Sequence, residues 1–298
     1  MAKQTLGLDQ LIELLMARVL KFLPVDMASG IGAWTGHRRA LKAIKLKRKW
    51  VARLHRNFER LEGITDPQAR QRRILEHIEH IGRLYAEYPV LHKIASERLS
   101  IHGAEHLHGL TGPVIFVSAH TGHWELIAEV LRRHRIPVAD LYDPIPNKVR
   151  LQLAMEVRRH FCPEEAGNRF IPASPTAVRE LVGWLKNGGN LVLFIDEEKD
   201  GLVWSPALGR ELPFAGNRAL AARLAARYRV PLIPLHIQRK TGANFEAVID
   251  CALYPHKYAN SEQALGEALN YSLEGWLKED YGHWYWLAQL ELDKSFFR

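Results

Sequence analysis

In "LDQLIELLMARVLKFLP" the apolar residues Leu8, Leu11, Ile12, Leu15, Val19, Phe22 and Leu23 recur about once per helical turn, with Asp9, Glu13, Arg18 and Lys21 between them. That period predicts an amphipathic helix ended by Pro24. It is too short and too charged to cross a bilayer, so its stripe faces either a protein core or a membrane interface. A second, basic helix is expected from Arg38 to Arg60, where ten Lys or Arg stand against one acid, Glu59, with Trp50 and Phe58 interleaved. Like charges without acidic partners one turn away repel, and an anionic surface relieves the repulsion. Each basic residue near an anionic leaflet adds on the order of 1 kcal/mol. A third helical block runs from Pro67 to Tyr88.

After Pro113 the period changes. Short apolar or β-branched runs, "VIFVS", "RFIPAS", "NLVLFID" and "VPLIPLHI", alternate with the helical patterns "ELIAEVLRRHR", "PTAVRELVGWLKNGG" and "NRALAARLAARYR", and "FEAVID" adds one more strand. The alternation predicts an α/β fold, a mostly parallel sheet flanked by helices, preceded by an N-terminal helical, membrane-associating region. The Gly- and His-rich "SIHGAEHLHGLTG" marks the boundary, so residues 1–100 form the amphipathic and basic helical region and 101–298 the α/β domain. In such sheets working residues gather at the carboxyl ends of strands. His120 and Asp196 both lie there.

Composition narrows the partners. The chain is 47% hydrophobic and 25% charged, ordinary for a folded protein. Cys162 and Cys251 provide neither a disulfide framework nor a four-cysteine metal site, which fits a reducing compartment. A formal charge of +8 favours anionic partners: nucleic acid, anionic lipid or an acidic carrier protein. No RNP sequence, zinc-knuckle spacing or recognition-helix pattern is found, so a membrane outranks nucleic acid, which is not expected as a partner. Neither an apolar run of spanning length nor a signal-peptide pattern is present in the sequence, which predicts a chain that does not span the membrane.

The candidate chemistry sits in "VSAHTGHWELIAEV", residues 117–130. On one continuous helix His120 and Glu125 would point about 140° apart. If Gly122 bends the chain between strand and helix, Glu125 is expected to reach back and orient His120, making it a general base that activates a hydroxyl. The plainer reading is a packed or capping His120 and a Glu125 that favours a first helical turn. His123 makes His-x-x-His with His120, and Glu125 would complete three ligands, but neither His-Glu-x-x-His nor His-x-x-Glu-His order is present, so no metal is expected.

The ordered series "VSAHTGHWE", "LYDPIPN", "LKNGGNLVLFIDEEKDG", "ELPFAGNRALAARLAARYRVPLIPLHIQR" and "WYWL" resembles the bacterial lipid A biosynthesis acyltransferases, the late lauroyl and myristoyl transferases, over nearly the whole chain. The resemblance implies a peripheral enzyme on the cytoplasmic face of the cell inner membrane. It moves a fatty acyl chain from acyl carrier protein, or acyl-CoA, to a hydroxyl of a lipid A precursor, without metal or cofactor. By position it implies His120 as base, Glu125 as its charge-relay acid, Asp196 as a residue positioning the acceptor or the histidine pair, and Asn147 as substrate-binding. Backbone N–H groups of Thr121 to His123 would stabilise the oxyanion, and Trp124 and Trp204 would line the acyl slot.

Two departures from the family pattern weaken the acidic acceptor. Tyr142-Asp143-Pro144 stands for Tyr-Arg-Pro, and Trp286-Leu287-Ala288-Gln289-Leu290 for Trp-Leu-His-Arg-Arg. Arg150 or Arg179 could supply a missing cation, and Arg150 is the candidate ligand contact. The rival readings are transfer to a lysophospholipid or other polar lipid, a thioesterase, and a non-catalytic membrane-binding protein.

Overall fold

Seven of the strands pair into one sheet. A computed structural model describes residues 7–199, 201–294 and 296, without the side chains of Leu8 and Asp9; the part of the N-terminal stripe assigned to those two lies outside the described residues. The strands are β1 (Leu99–His102), β2 (Ile115–Ser118), β3 (Val138–Tyr142), β4 (Arg169–Pro172), β5 (Asn190–Phe194), β8 (Leu232–Arg239) and β9 (Phe245–Ile249), with β6 (Glu198–Lys199) and β7 (Leu202–Val203) forming a separate small hairpin. The spatial order is β1-β9-β8-β2-β5-β3-β4, and every neighbouring pair is parallel except β8 and β9. Central β2 is buried at all four positions, as expected of a strand covered on both faces.

The helices are α1 (Leu8–Leu20), α2 (Val25–Lys45), α3 (Lys49–Glu62), α4 (Pro67–Glu87), α5 (Leu91–Glu97), α6 (Leu126–Arg133), α7 (Lys148–Phe161), α8 (Ala177–Lys186), α9 (Gly216–Tyr228) and α10 (Glu262–Glu279). Asp66 caps α4, accepting from the backbone N–H groups of Gln68 and Ala69, with Pro67 at the first helical position. The basic run is not one helix. It spans the end of α2, a turn with Lys47 in the left-handed region at φ 47°, and α3. No glycine or proline marks that turn, so nothing local in "IKLKRKW" announces it.

Beyond Val25 at its start, helix α2 buries only small residues, Ala28, Ser29, Gly32, Ala33, Gly36, Ala40 and Ala43. They let α2 lie backbone to backbone on α4: a Cβ on Gly82 would stand 2.1 Å from the Gly32 carbonyl oxygen. A stripe defined by size leaves little hydrophobic periodicity, which is why this helix goes unread in the sequence. Strand β3 is hidden for a different reason, because Asp140 interrupts its apolar run.

Two apolar clusters each combine N-terminal helices with the sheet. One joins Leu54, Phe58 and Ile74 to Val117, Leu193 and the α8–α10 residues Leu181, Leu224 and Leu273; the other joins Val25, Ala28 and Leu84 to Phe116, Ile233 and Leu126. The described α1 residues of the predicted stripe face outward, and the side that packs on the protein is the one opposite. Ala17 and Leu20 are buried, while Leu11, Ile12, Leu15, Met16 and Val19 are exposed. Among the described residues no helix is long and apolar enough to cross a membrane.

Candidate active site

Strands β2 and β5 run parallel, with Ser118 paired to Phe194, so His120 and Asp196 each stand two residues past the last pair, at adjoining strand exits. The imidazole Nδ1–H of His120 donates to Asp196 Oδ1 over 2.8 Å, and the other carboxylate oxygen accepts from the His120 backbone N–H at 2.7 Å and the indole N–H of Trp284 at 2.9 Å. Asp196 is fully buried and the His120 side chain is 22% exposed. An ionised carboxylate only accepts, so Nδ1 carries the proton and Nε2 is left as the base. Nε2 makes no hydrogen bond among the described residues. Trp286 Nε1, 3.3 Å from the same Nδ1, therefore finds no free lone pair there.

Aromatic rings surround the imidazole: Phe194 at 4.5 Å between centroids, Trp124 at 4.9 Å, Trp286 at 5.5 Å and Tyr285 at 6.4 Å. The C-terminal segment is tied to the site by backbone as well, since Tyr285 N–H donates to the His120 carbonyl and Thr121 bridges Trp284. Gly122 makes the expected bend, with φ 56°; a Cβ there would meet the Ile237 carbonyl oxygen at 2.6 Å.

That bend does not bring Glu125 to His120. Glu125 opens α6 facing α7, where its carboxylate takes a bidentate set of bonds from Arg158, at 2.8 and 2.9 Å, and one from the Tyr88 hydroxyl at 3.2 Å. Burial pushes this carboxyl up, but Arg158 outweighs it and holds the group below its ordinary value. Burial raises nearby Asp140 to about 7 despite Arg158, and its Oδ1 is buried without a hydrogen-bond partner among the described residues. The orienting carboxylate of His120 is thus Asp196, expected among the substrate-binding groups or as a positioning residue, and the Glu125 contact expected from the sequence is not made.

Other expected residues fall in several places. Trp124 is buried against His120 and Tyr285 and borders a small cavity of about 30 Å³ with Phe194, Asp140 and Arg158. Trp204 is elsewhere, its ring tilted against that of Phe296 at 5.1 Å between centroids. The N–H of Thr121 donates to Ala119 and that of Gly122 to His283, so neither is available to an oxyanion. Asn147 caps α7 through its Oδ1 and donates its amide to Glu13; Arg150 pairs with the same Glu13 and lies over Tyr85. Arg179 is exposed on α8. The His123 ring is buried against Tyr88 and Phe245, and burial brings it down to about 4. Among the described residues no group of three or more His, Cys, Asp or Glu is placed to hold a metal. Sequence reasoning missed Arg158 and Tyr88 altogether; "HWYWL", with three of the rings and indoles that enclose the dyad, did carry a compositional signal.

The sequence model of the family described as bacterial lipid A biosynthesis acyltransferase matches residues 6–291. No curated protein matches the chain. Among solved structures, that of the 1-acyl-sn-glycerophosphate (LPA) acyltransferase PlsC from Thermotoga maritima is similar, at 14% identity and a TM-score of 0.42, over 86% of this chain and 99% of that one. A likeness at that level adds nothing further. The family match takes in the whole sheet and both members of the His120–Asp196 dyad, and it makes this protein an acyltransferase: the chain belongs to the bacterial lipid A biosynthesis acyltransferases.

Proposed function

We propose that this acyltransferase moves a fatty acyl chain from acyl carrier protein to a hydroxyl of a lipid A precursor, with His120 as general base and Asp196 as the carboxylate that orients it. The observation that carries the proposal is the 2.8 Å contact from His120 Nδ1 to buried Asp196, which leaves Nε2 as the basic nitrogen. The acceptor O–H gives its proton to Nε2 as its oxygen attacks the thioester carbonyl carbon. The tetrahedral intermediate collapses by breaking the C–S bond, and the imidazolium returns the proton to the leaving thiolate. Asp196 stabilises the imidazolium between those steps. No covalent enzyme intermediate is needed.

The donor and the location rest on charge and surface. A net +8 suits an acidic carrier protein. Exposed Leu11, Leu15, Val19 and Phe22 on and after α1, and Met27, Trp34 and Leu41 on α2, accompany exposed Arg38, Lys42 and Lys45. Apolar side chains beside a basic row suit peripheral binding to the anionic cytoplasmic face of the inner membrane.

Incubation with radiolabelled acyl carrier protein thioester and a lipid A precursor tests the reading, with mass spectrometry of the products. The precursor gains one acyl group with the wild type and none with His120→Ala. Near-normal transfer by His120→Ala removes the mechanism. Acylation of a lysophospholipid alone, or free fatty acid alone, replaces the acceptor by another lipid or by water; acyl-CoA in place of the carrier protein tests the donor.

A further inference from the structure

Helix α1 does not seal against the elements beneath it. On one side lies a cavity of about 480 Å³ reaching α2, α4 and the start of α7, and on the other a cavity of about 540 Å³ reaching Pro89, His92 and the rest of α7. Ala17, Tyr88 and Leu153 line both. The helix is therefore a strap across one trough, and the cavities are the two parts it leaves uncovered.

Few polar contacts hold the strap. Glu13 accepts from Arg150 Nε at 2.6 Å and from Asn147 Nδ2 at 3.0 Å, and Lys93 Nζ donates to the carbonyls of Lys21 and Leu23 at 3.3 and 3.2 Å. The Glu13 and Arg150 side chains are 31% and 43% exposed, and ion pairs this open to water exchange readily. Arg150 is held in place from the other side, its guanidinium 4.8 Å from the centroid of the Tyr85 ring. The Tyr85 hydroxyl is 2.9 Å from that of Tyr285, whose ring borders His120. The polar end of the trough thus lies one pair of phenols away from the dyad.

We propose that the trough under α1 binds an anionic amphiphile, its hydrocarbon chain among Ile12, Met16, Leu20, Ile31, Ile145 and Leu153 and its phosphate or carboxylate on Asn147 and Arg150, where Glu13 now supplies the negative charge. Glu13 is then the latch: the ligand's anion displaces it, and α1 is freed from α7 as the site fills. A phosphate offers Arg150 more charge and more acceptor oxygens than one carboxylate does. The proposal rests on the lipid-acylation reading for its class of ligand, but binding here requires no turnover.

Calorimetric titration with dodecyl phosphate below its micelle threshold, with dodecanol and inorganic phosphate as parallel arms, tests it on the full chain. The wild type should bind dodecyl phosphate in preference to either of the others. Glu13→Gln, which removes the competing charge, should tighten binding about two- to five-fold, and Arg150→Gln should weaken it roughly ten-fold. Unchanged or weaker binding by Glu13→Gln overturns the latch. Dodecanol binding equally well overturns the anion subsite, and inorganic phosphate binding equally well overturns the lipid assignment. Failure here leaves the His120–Asp196 chemistry standing, and an active His120→Ala protein leaves this site standing.

Discussion

Two buried carboxylates flank the same stretch of chain and do different things. Asp196 is satisfied by three donors, one of which is an imidazole still reachable by solvent. Glu125 is satisfied by a guanidinium and a phenol that are themselves enclosed, with Arg158 13% exposed and Tyr88 buried. The first couples a buried charge to a group that can gain and lose a proton at an open nitrogen. The second couples it to a group that stays charged at any working pH. A carboxylate near a catalytic histidine is therefore identified by what its partner can do rather than by its distance along the chain.

The largest effect should come from breaking the Asp196 side of this contrast. His120→Ala should cut acyl transfer by about 10² to 10⁴ with the melting temperature nearly unchanged, and Asp196→Asn should act in the same direction by favouring the wrong tautomer. On the Glu125 side the loss should appear first as stability. Glu125→Ala leaves Arg158 buried without its strongest partner and should cost about 3–5 kcal/mol by denaturant unfolding, most of it recovered in Glu125→Leu combined with Arg158→Met. If Glu125→Ala instead keeps its stability and loses turnover as His120→Ala does, the division of labour drawn here is wrong.

Acid should weaken the fold through other buried groups. Burial holds His123 and His77 at about 4 and His236 at about 3 in the folded state, against an ordinary value near 6.5. The unfolded chain then binds more protons between those values. The stability contributed by these buried, neutral rings is complete above about 6.5 and is lost as pH falls toward about 4, by about 1.4 kcal/mol per unit for each fully shifted ring. Denaturant midpoints measured across that range should fall, and His123→Phe should flatten the slope. The smallest effect expected at the dyad is that of Trp284→Phe. It removes one of three donors to Asp196 and should lower kcat roughly ten-fold with KM little changed, a split that simple loss of packing would not produce.

Legibility followed the range of the interaction. Strands β2, β5 and β8 could be read because each is a short apolar run bounded by turn residues, and His120 was placed at a strand exit for the same reason. Asp196, at the end of "NLVLFID", was placed likewise. Helix α2 was invisible to that reading because its packing face is coded by small size, and β3 because Asp140 sits inside it. The sequence points to Glu125 because, five residues from His120, it is the nearest acid in the chain. Arg158, which captures it, lies 33 residues further on, in a helix with no distinguishing pattern.

The amino-acid sequence by itself determined the periods that make strands and helices, the bend at Gly122, and the arrival of a histidine and an aspartate at strand exits, because these depend on backbone preference and local burial. Only the tertiary structure decided which acid meets the imidazole. Residues 76 apart are brought together by the register of two parallel strands, and neighbours in the chain are turned away by the competing charge of another helix.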